Sequence, residues 1–287
     1  GTLHNVWEFH NQPEVSPKLK PEGKHDACYL PRSCRFTGDI RIHEIAYAGD
    51  ELWAVNTRFS CLCTFDNHHS FVPRWKPAFI SKLAAEDRCH MNGFAVKDGA
   101  VKHLTALGLT DTAGGWRDNK RNGGVLMEIP SGEVLVRGLS MPHSPRWHDG
   151  KLWILESGYG ALGTVDLQTG KVEHVCTLPG FTRGLDFCGP YAFVGLSQVR
   201  ESSVFSGLPI VESGQERECG VHVVDLRIGK SIAFLRFDGG VQEIFAVQVL
   251  PNQRWPDVVH DDAEVLNGTF ILPPGTFEPV AARKLAA

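Results

Sequence analysis

Three histidines stand at the start of short segments in which apolar residues alternate, so their side chains could act together. They are His43 in IHEIAYA, His90 in HMNGFAV and His143 in HSPRWH. Imidazole is the commonest side-chain ligand of zinc, iron, copper and manganese, and three imidazoles with an oxygen donor leave one coordination position open for water or substrate. Gln242 and Glu243 are the candidate oxygen donors. These residues predict a site for one divalent transition metal, with its identity among those four left open.

Charged residues beside the histidines could bind and transform an anionic substrate. The guanidinium groups of Arg146 and Arg183 are suited to a carboxylate, and Glu44 could act as a general base. A metal would polarise a carbonyl or supply hydroxide, so lyase, hydrolase and oxidative chemistry all remain open. The alternative interpretation is structural, with the arginines in ion pairs to Asp87, Glu44 or Glu201 and each histidine a hydrogen-bonded residue of a channel wall.

Two long segments without strand pattern, 108–122 and 198–218, add further candidates. Connections of this length in a compact fold tend to be functional or disordered. With the neighbouring strand start they predict four substrate-binding residues: Asn92, Trp116, Arg117 and Arg200. A solvated loop is the alternative for both segments.

Repeated hairpins position all of these residues. Four units each contain two consecutive hairpins with Gly and Asp at their turns, at 42–75, 90–138, 143–175 and 182–237. Four strands in every ~40–50 residues is typical of a β-propeller blade. We therefore expect an all-β propeller of four-stranded antiparallel blades, whose innermost strands carry the histidines to a central channel.

The two ends of the chain predict how the propeller is completed. A last unit opens at VQEIFAVQVLPN (241–252), and the strand LHNVWEF (3–9) is expected to complete a blade. We expect one domain over 1–287 with a tail at 274–287, five visible blades and six in the complete form. A missing N-terminal segment or a partner chain would then cover the remaining edge.

Composition excludes several classes of protein. The 287 residues carry 29 Lys+Arg against 33 Asp+Glu, a formal net charge of −4, and no basic stripe of the kind that nucleic acid or an anionic membrane surface requires. No apolar stretch approaches the ~18–20 residues that span a bilayer, and no secretory leader is visible. We expect a soluble cytoplasmic protein whose partner is a small anionic molecule.

Several motifs occur in an order that resembles a known family. They include TGDIRIHE, EDRCHMNG, GLSMPHSPRW and GFTRGLDF. This set is similar to that of a bacterial family of conserved hypothetical proteins, a domain of unknown function with propeller architecture. The resemblance spans residues 30–255 and implies the fold, but it brings no activity. Similar proteins carry an additional upstream segment, which implies a six-bladed complete form.

Two classes of function follow. The first is a metal-dependent propeller enzyme that acts on a small carboxylate-bearing substrate at the channel. The second is a non-catalytic propeller that binds a partner protein or peptide across its rim. Stoichiometric metal would separate them, because an interaction propeller does not need it.

Overall fold

The computed structural model describes residues 4–198 and 206–273 and shows an all-β chain. In chain order the strands are β1 (Asn5–Asn11), β2 (Ala27–Phe36), β3 (Ile42–Ala48), β4 (Glu51–Asn56), β5 (Cys61–Thr64), β6 (Val72–Trp75), β7 (Met91–Lys97), β8 (Ala100–Ala106), β9 (Gly124–Glu128), β10 (Val134–Leu139), β11 (Pro142–His148), β12 (Lys151–Glu156), β13 (Ala161–Asp166), β14 (Lys171–Thr177), β15 (Phe181–Cys188), β16 (Tyr191–Ser197), β17 (Gly220–Asp225), β18 (Lys230–Arg236) and β19 (Pro256–Val258).

Helix is confined to short segments. Three 3-10 turns lie at Ser16–Lys18, Gly115–Asn119 and Ser157–Tyr159, and two short α-helices, α1 (Pro209–Glu212) and α2 (Ala263–Asn267), complete the elements. Within the described ranges no helix is long and apolar enough to cross a membrane.

The strands form five sheets, as the repeat predicts. Blade 1 is β3–β6, blade 2 is β7–β10, blade 3 is β11–β14 and blade 4 is β15–β18, and each is a four-stranded antiparallel sheet in chain order. The fifth sheet has three strands in the order β1-β2-β19, with β19 parallel to β2. The predicted propeller of four-stranded blades is therefore confirmed, with five sheets.

The chain divides into two compact units, where the sequence predicts one domain over 1–287. The first contains 1–6 and 35–251 and therefore all four blades, and the second contains 7–34 and 252–287. The second unit has its own small apolar core, which includes Val15, Cys28, Leu30 and Val259. The predicted tail at 274–287 lies outside the described residues.

Apolar side chains between successive blades form the main core. Val55 and Leu62 of blade 1 share one cluster with Phe94 and Leu104 of blade 2. Corresponding clusters join blade 2 to blade 3 and blade 3 to blade 4. The innermost strands carry the candidate residues, so this packing fixes the positions from which those residues act.

Hydroxyl groups at the ends of the second strands connect blades 1 and 3 to the following blade and blade 4 to the segment 241–250. Thr57 donates to the Met91 carbonyl at 2.6 Å, and Ser157 donates to the Thr182 carbonyl at 2.5 Å. Ser197 donates to the Ile244 carbonyl at 3.3 Å. The first two bonds are buried and hold the inner strands of neighbouring blades at a fixed separation.

Blade 2 makes the same connection through two side chains. Thr105 donates to the Asn92 side-chain oxygen at 2.7 Å, and the Asn92 amide donates to the Pro142 carbonyl, also at 2.7 Å. Asn92 is only 2% exposed. The structure therefore places Asn92, predicted as a substrate-binding residue, in a link between blades 2 and 3.

The segment 241–250 differs from the sequence-based expectation. It is extended but belongs to no sheet, and it is held against blade 4 by bonds such as Gln198 N–H to Gln242 O at 2.9 Å. Gly184 permits this approach, because a Cβ there would lie 2.7 Å from Val247 N and its φ of +84° is unfavourable for other residues. The predicted opening strand of a further blade is therefore a strap across blade 4. The six-bladed complete form stays a prediction.

Replacing Asn92 by Ala tests the connection between blades 2 and 3. The free energy of unfolding should fall by about 2–4 kcal/mol, because the Thr105 hydroxyl and the Pro142 carbonyl each lose a buried partner. Urea denaturation measures the change, with the exposed Asn122→Ala as the matched control, expected to stay within about 0.5 kcal/mol of the wild type. An equally small effect at Asn92 would contradict the proposed link.

Candidate functional site

His43 and His143 occupy matching environments at the inner ends of blades 1 and 3. His43 Nδ1 lies 3.0 Å from the Arg41 carbonyl and 2.9 Å from the Thr57 hydroxyl. His143 Nδ1 lies 2.9 Å from both the Met141 carbonyl and the Ser157 hydroxyl. A backbone carbonyl can only accept, so Nδ1 carries the proton and Nε2 keeps its lone pair. Within the described part of the chain neither Nε2 has a hydrogen-bond partner.

The backbone is strained where these carbonyls turn toward the rings. Arg41 has a φ of +52° and Met141 a φ of +48°, and each lies two residues before its histidine. Positive φ is uncommon for residues other than glycine and tends to persist where surrounding structure over-determines it, often at functional sites. The repeated strain is thus the local feature that aims each carbonyl at Nδ1.

His90 reaches the same region from a different position. It lies just before β7, with a φ of +49°, whereas His43 and His143 are the second residues of their strands. β7 has irregular pairing at two places, so the equivalence of three histidines expected from the repeat holds only for two. His90 Nδ1 lies 2.9 and 3.0 Å from the two carboxylate oxygens of Asp87, which leaves Nε2 as the nitrogen with the lone pair.

Arg183 occupies the position in blade 4 that His43 and His143 occupy in theirs. Each of the three stands fourteen residues before a hydroxyl at the end of the second strand, which is Ser197 in the case of Arg183 and bonds the strap at Ile244. Its guanidinium carbon lies 3.7 Å from the Phe245 ring centroid. Its Nη2 is buried without a hydrogen-bond partner among the described residues.

Aromatic contacts connect these groups, which together we call the inner cluster: His43, His90, His143 and Arg183. The His43 and His90 rings lie 4.7 Å apart, edge to face. The Trp116 ring lies 4.3 Å from His90, and the Phe245 ring lies 6.4 Å from His43. Trp116 is 3% exposed, and its indole Nε1 is buried without a partner in the described part of the chain. The cluster and its neighbour Trp116 therefore combine lone-pair acceptors with two buried donors.

Burial and neighbouring groups keep two of the imidazoles, those of His43 and His143, neutral. Burial, with electrostatic contributions from His90 and Arg183, holds the pKa of His43 well below its usual range. Burial and the Arg183 charge do the same to the pKa of His143. Burial also lowers the pKa of Arg183 to about 10, against the opposing influence of Glu243 and Glu44, so the guanidinium stays charged at pH 7.

Two residues predicted as catalytic are paired with each other. Arg146 Nη2 lies 2.8 Å from Glu44 Oε2, and Arg146 also donates to the carbonyls of Phe94 and Pro145. This is the structural alternative foreseen for these arginines. The geometry gives Glu44 a fixed cationic partner in place of a role as free base.

The remaining predicted residues lie apart or outside the described chain. Gln242 and Glu243 are on the exposed strap, where the Gln242 carbonyl bonds blade 4. Arg117 is half-exposed, stacks over Trp116 at 4.4 Å and lies 4.0 Å from Asp87. Arg200 lies outside the described residues.

The sequence-based prediction missed Asp87 as a site residue and Phe245 as the aromatic ring that stacks on Arg183. The spacing Asp-x-x-His, with the carboxylate three residues before the imidazole, was available as a signal for Asp87. No sequence signal marks Phe245, because the course of the strap depends on tertiary packing against blade 4.

All of these features define an all-β propeller with a cationic and imidazole-rich cluster at the inner ends of its blades. The chain belongs to the family described as Domain of unknown function (DUF4915), whose profile matches residues 1–259. No curated protein matches the sequence.

Solved structures match this chain at low identity. The computationally designed Ika8 protein is 11% identical over 74% of this chain, with a TM-score of 0.40, and the chain spans 53% of that protein. A protein of unknown function from Bacteroides caccae is 10% identical, covering 87% of this chain and 80% of that one, with a TM-score of 0.46. A calcium-binding protein, regucalcin, from Agrobacterium tumefaciens is 13% identical, covering 81% and 70%, with a TM-score of 0.47. Likeness at this level implies nothing about activity.

The donors of a metal site are not grouped together in the described residues. Among residues 4–198 and 206–273, no three His, Cys, Asp or Glu side chains are placed to hold one ion. Arg183 also acts electrostatically on two of the three imidazoles, and a guanidinium charge repels a nearby cation. The divalent metal stays a prediction of the sequence.

Elemental analysis of protein purified without chelators checks the metal prediction. About one equivalent of zinc, manganese, iron or copper per chain, lost in His90→Ala, would confirm it. The exposed His68→Ala is the matched control and should leave the metal content unchanged. A content near zero in the wild type would contradict the prediction.

Proposed function

We propose that the propeller binds a small carboxylate-bearing molecule at the inner cluster and acts on it as an enzyme. The observation that carries this proposal is Arg183, a charged guanidinium with a buried Nη2 that has no hydrogen-bond partner within residues 4–198 and 206–273. A buried, unpaired donor costs about 1–3 kcal/mol, and more when it is charged. A carboxylate supplies both the missing acceptors and the missing charge.

The neighbours of Arg183 suit an anion. His43 and His143 are neutral because burial depresses their pKa values, so they place no negative charge beside the guanidinium. Phe245 stacks on one face of the guanidinium. A carboxylate bound here would lie beside the Asp87–His90 pair, which supports an enzyme more than a passive binding site.

A propeller that binds a protein or peptide is the second candidate, and one observation favours it. Three apolar side chains of the outer strand β18 are largely exposed: Ile232 at 52%, Phe234 at 64% and Leu235 at 58%. Exposed apolar patches of this kind often mark interaction surfaces. This candidate gives no role to the unpaired Arg183.

Arg183→Ala separates the two candidates. Binding of acetate, pyruvate, succinate and 2-oxoglutarate is measured by isothermal titration calorimetry, and the variant should weaken the best of them by about 2–5 kcal/mol, or at least ~30-fold in Kd. Arg183→Lys should retain part of the affinity, because it keeps the charge but loses the planar fork.

Folding provides the internal check on this experiment. The guanidinium has no hydrogen-bond partner among the described residues, so Arg183→Ala should not lower the thermal midpoint substantially. The exposed Arg137→Ala is the matched control and should bind as the wild type does. Unchanged carboxylate affinity in a folded Arg183→Ala protein, or no binding of any carboxylate by the wild type, would contradict the proposal.

A further inference from the structure

Asp87 and His90 form a pair that carboxylate binding at Arg183 does not require. The Asp87 side chain is 6% exposed and holds His90 Nδ1 through both oxygens. Arg41 and Arg117 lie 3.7 and 4.0 Å from the same carboxylate and balance its charge. A carboxylate that fixes an imidazole through Nδ1 makes Nε2 the basic nitrogen and stabilises the imidazolium that forms when Nε2 takes a proton.

The segment that carries the pair is fixed from several sides. Its bonds are Asp87 N–H to Arg58 O at 2.9 Å, Arg88 N–H to Ser60 Oγ at 3.1 Å, Gly114 N–H to Glu86 O at 3.0 Å and Leu107 N–H to His90 O at 3.2 Å. Both members of the pair have positive φ, +48° for Asp87 and +49° for His90. Strain at two non-glycine residues of one pair, held by surrounding bonds, is the pattern found at functional sites.

The ring of Trp116, which carries a second buried donor, lies beside His90. Its indole Nε1–H has no partner among the residues that the structure describes, and the ring centroids of Trp116 and His90 are 4.3 Å apart. Trp116 is packed among apolar side chains that include Leu107, Met141 and Phe181. A donor desolvated in this way is suited to an oxygen atom on which negative charge develops.

We infer that the site removes a proton from the carbon next to the carbonyl of a 2-oxo carboxylate, with His90 as the base. This inference rests on the proposed binding of the substrate carboxylate by Arg183. Three groups indicate this substrate class: a guanidinium that binds the carboxylate, an indole N–H that binds a second oxygen and an imidazole that accepts the proton. A simple carboxylate would leave the second donor unused.

The step balances without a further reactant. The proton on C3 moves to His90 Nε2, the electron pair of that C–H bond forms the C2=C3 bond, and the carbonyl oxygen becomes the enolate oxygen beside Trp116 Nε1–H. Imidazolium charge is then shared with Asp87 through Nδ1–H. Return of the proton regenerates the substrate, and in D₂O the returning atom is deuterium. Asp87 is a positioning residue, because it acts through His90.

Deuterium exchange tests this step without knowledge of the complete reaction. Pyruvate and 2-oxoglutarate are incubated with the protein in D₂O, and loss of the C3 proton signal is followed by one-dimensional NMR against a protein-free sample. The wild type should accelerate exchange of at least one probe. His90→Gln should abolish the acceleration, and the exposed His68→Gln should leave it unchanged.

Asp87 is tested by separating rate from binding. Asp87→Asn should slow exchange at least tenfold while the Kd of the probe, measured by calorimetry, stays within a factor of about three, and Asp87→Glu should recover part of the rate. A variant that merely loosened the fold would change both quantities and would not respond to the conservative substitution.

The outcomes separate this inference from the proposal beneath it. A wild type that binds a 2-oxo carboxylate through Arg183 but does not accelerate exchange overturns the inference and leaves the proposed function standing. Acceleration that persists in folded His90→Gln overturns the choice of base. A wild type that binds no carboxylate contradicts the proposed function and this inference together.

Discussion

The hydrogen bond donated by the inner histidines through Nδ1 is the interaction on which the site depends. His43 and His143 each donate to a carbonyl two residues earlier and to a hydroxyl fourteen residues later. That hydroxyl in turn donates to the next blade. One chain of hydrogen bonds thus joins neighbouring blades and also decides which imidazole nitrogen keeps a lone pair. A change in the packing of the blades would therefore change the tautomer of the histidines.

The charges of the inner cluster are kept at a cost to stability. A buried guanidinium lacks an acceptor, and two imidazoles are held neutral by burial and by that guanidinium. Groups in this condition are expensive to bury unless a ligand completes them. A bound carboxylate would accept hydrogen bonds from Arg183 and offset its positive charge. The pKa values of the neighbouring histidines would then be lowered less, so binding at Arg183 would raise their basicity.

The repeat made the blades predictable, because hairpin turns and alternating strands are local signals. Irregular features were not predictable in the same way. The sequence places His90 in register with His43 and His143, but two pairing irregularities in β7 and the positive φ of His90 move it one step outside the strand. The sequence leaves Glu44 and Arg146 between catalytic roles and an ion pair, and the fold brings blades 1 and 3 close enough to pair them.

Tertiary contacts also decided the roles of Asn92 and Phe245. Asn92 carries an amide of the kind that binds substrates, and only the position of the Pro142 carbonyl shows that the next blade uses it. Phe245 lies in a strap whose course is set by the two glycines beneath it, Gly184 and Gly195, and no periodicity in the sequence marks that course. Contacts between distant segments therefore supplied what local patterns could not.

The tautomers of the inner histidines are the most direct test of the proposed Nδ1 hydrogen bonds. A two-bond proton–nitrogen correlation spectrum of protein labelled with ¹⁵N-histidine, assigned with single His→Gln variants, reports the protonated nitrogen of each ring. We predict neutral rings protonated at Nδ1 for His43 and His143 at pH 7.5 and still at pH 6, since burial holds both pKa values well below the usual range. Rings protonated at Nε2, or imidazolium at pH 6, would contradict it.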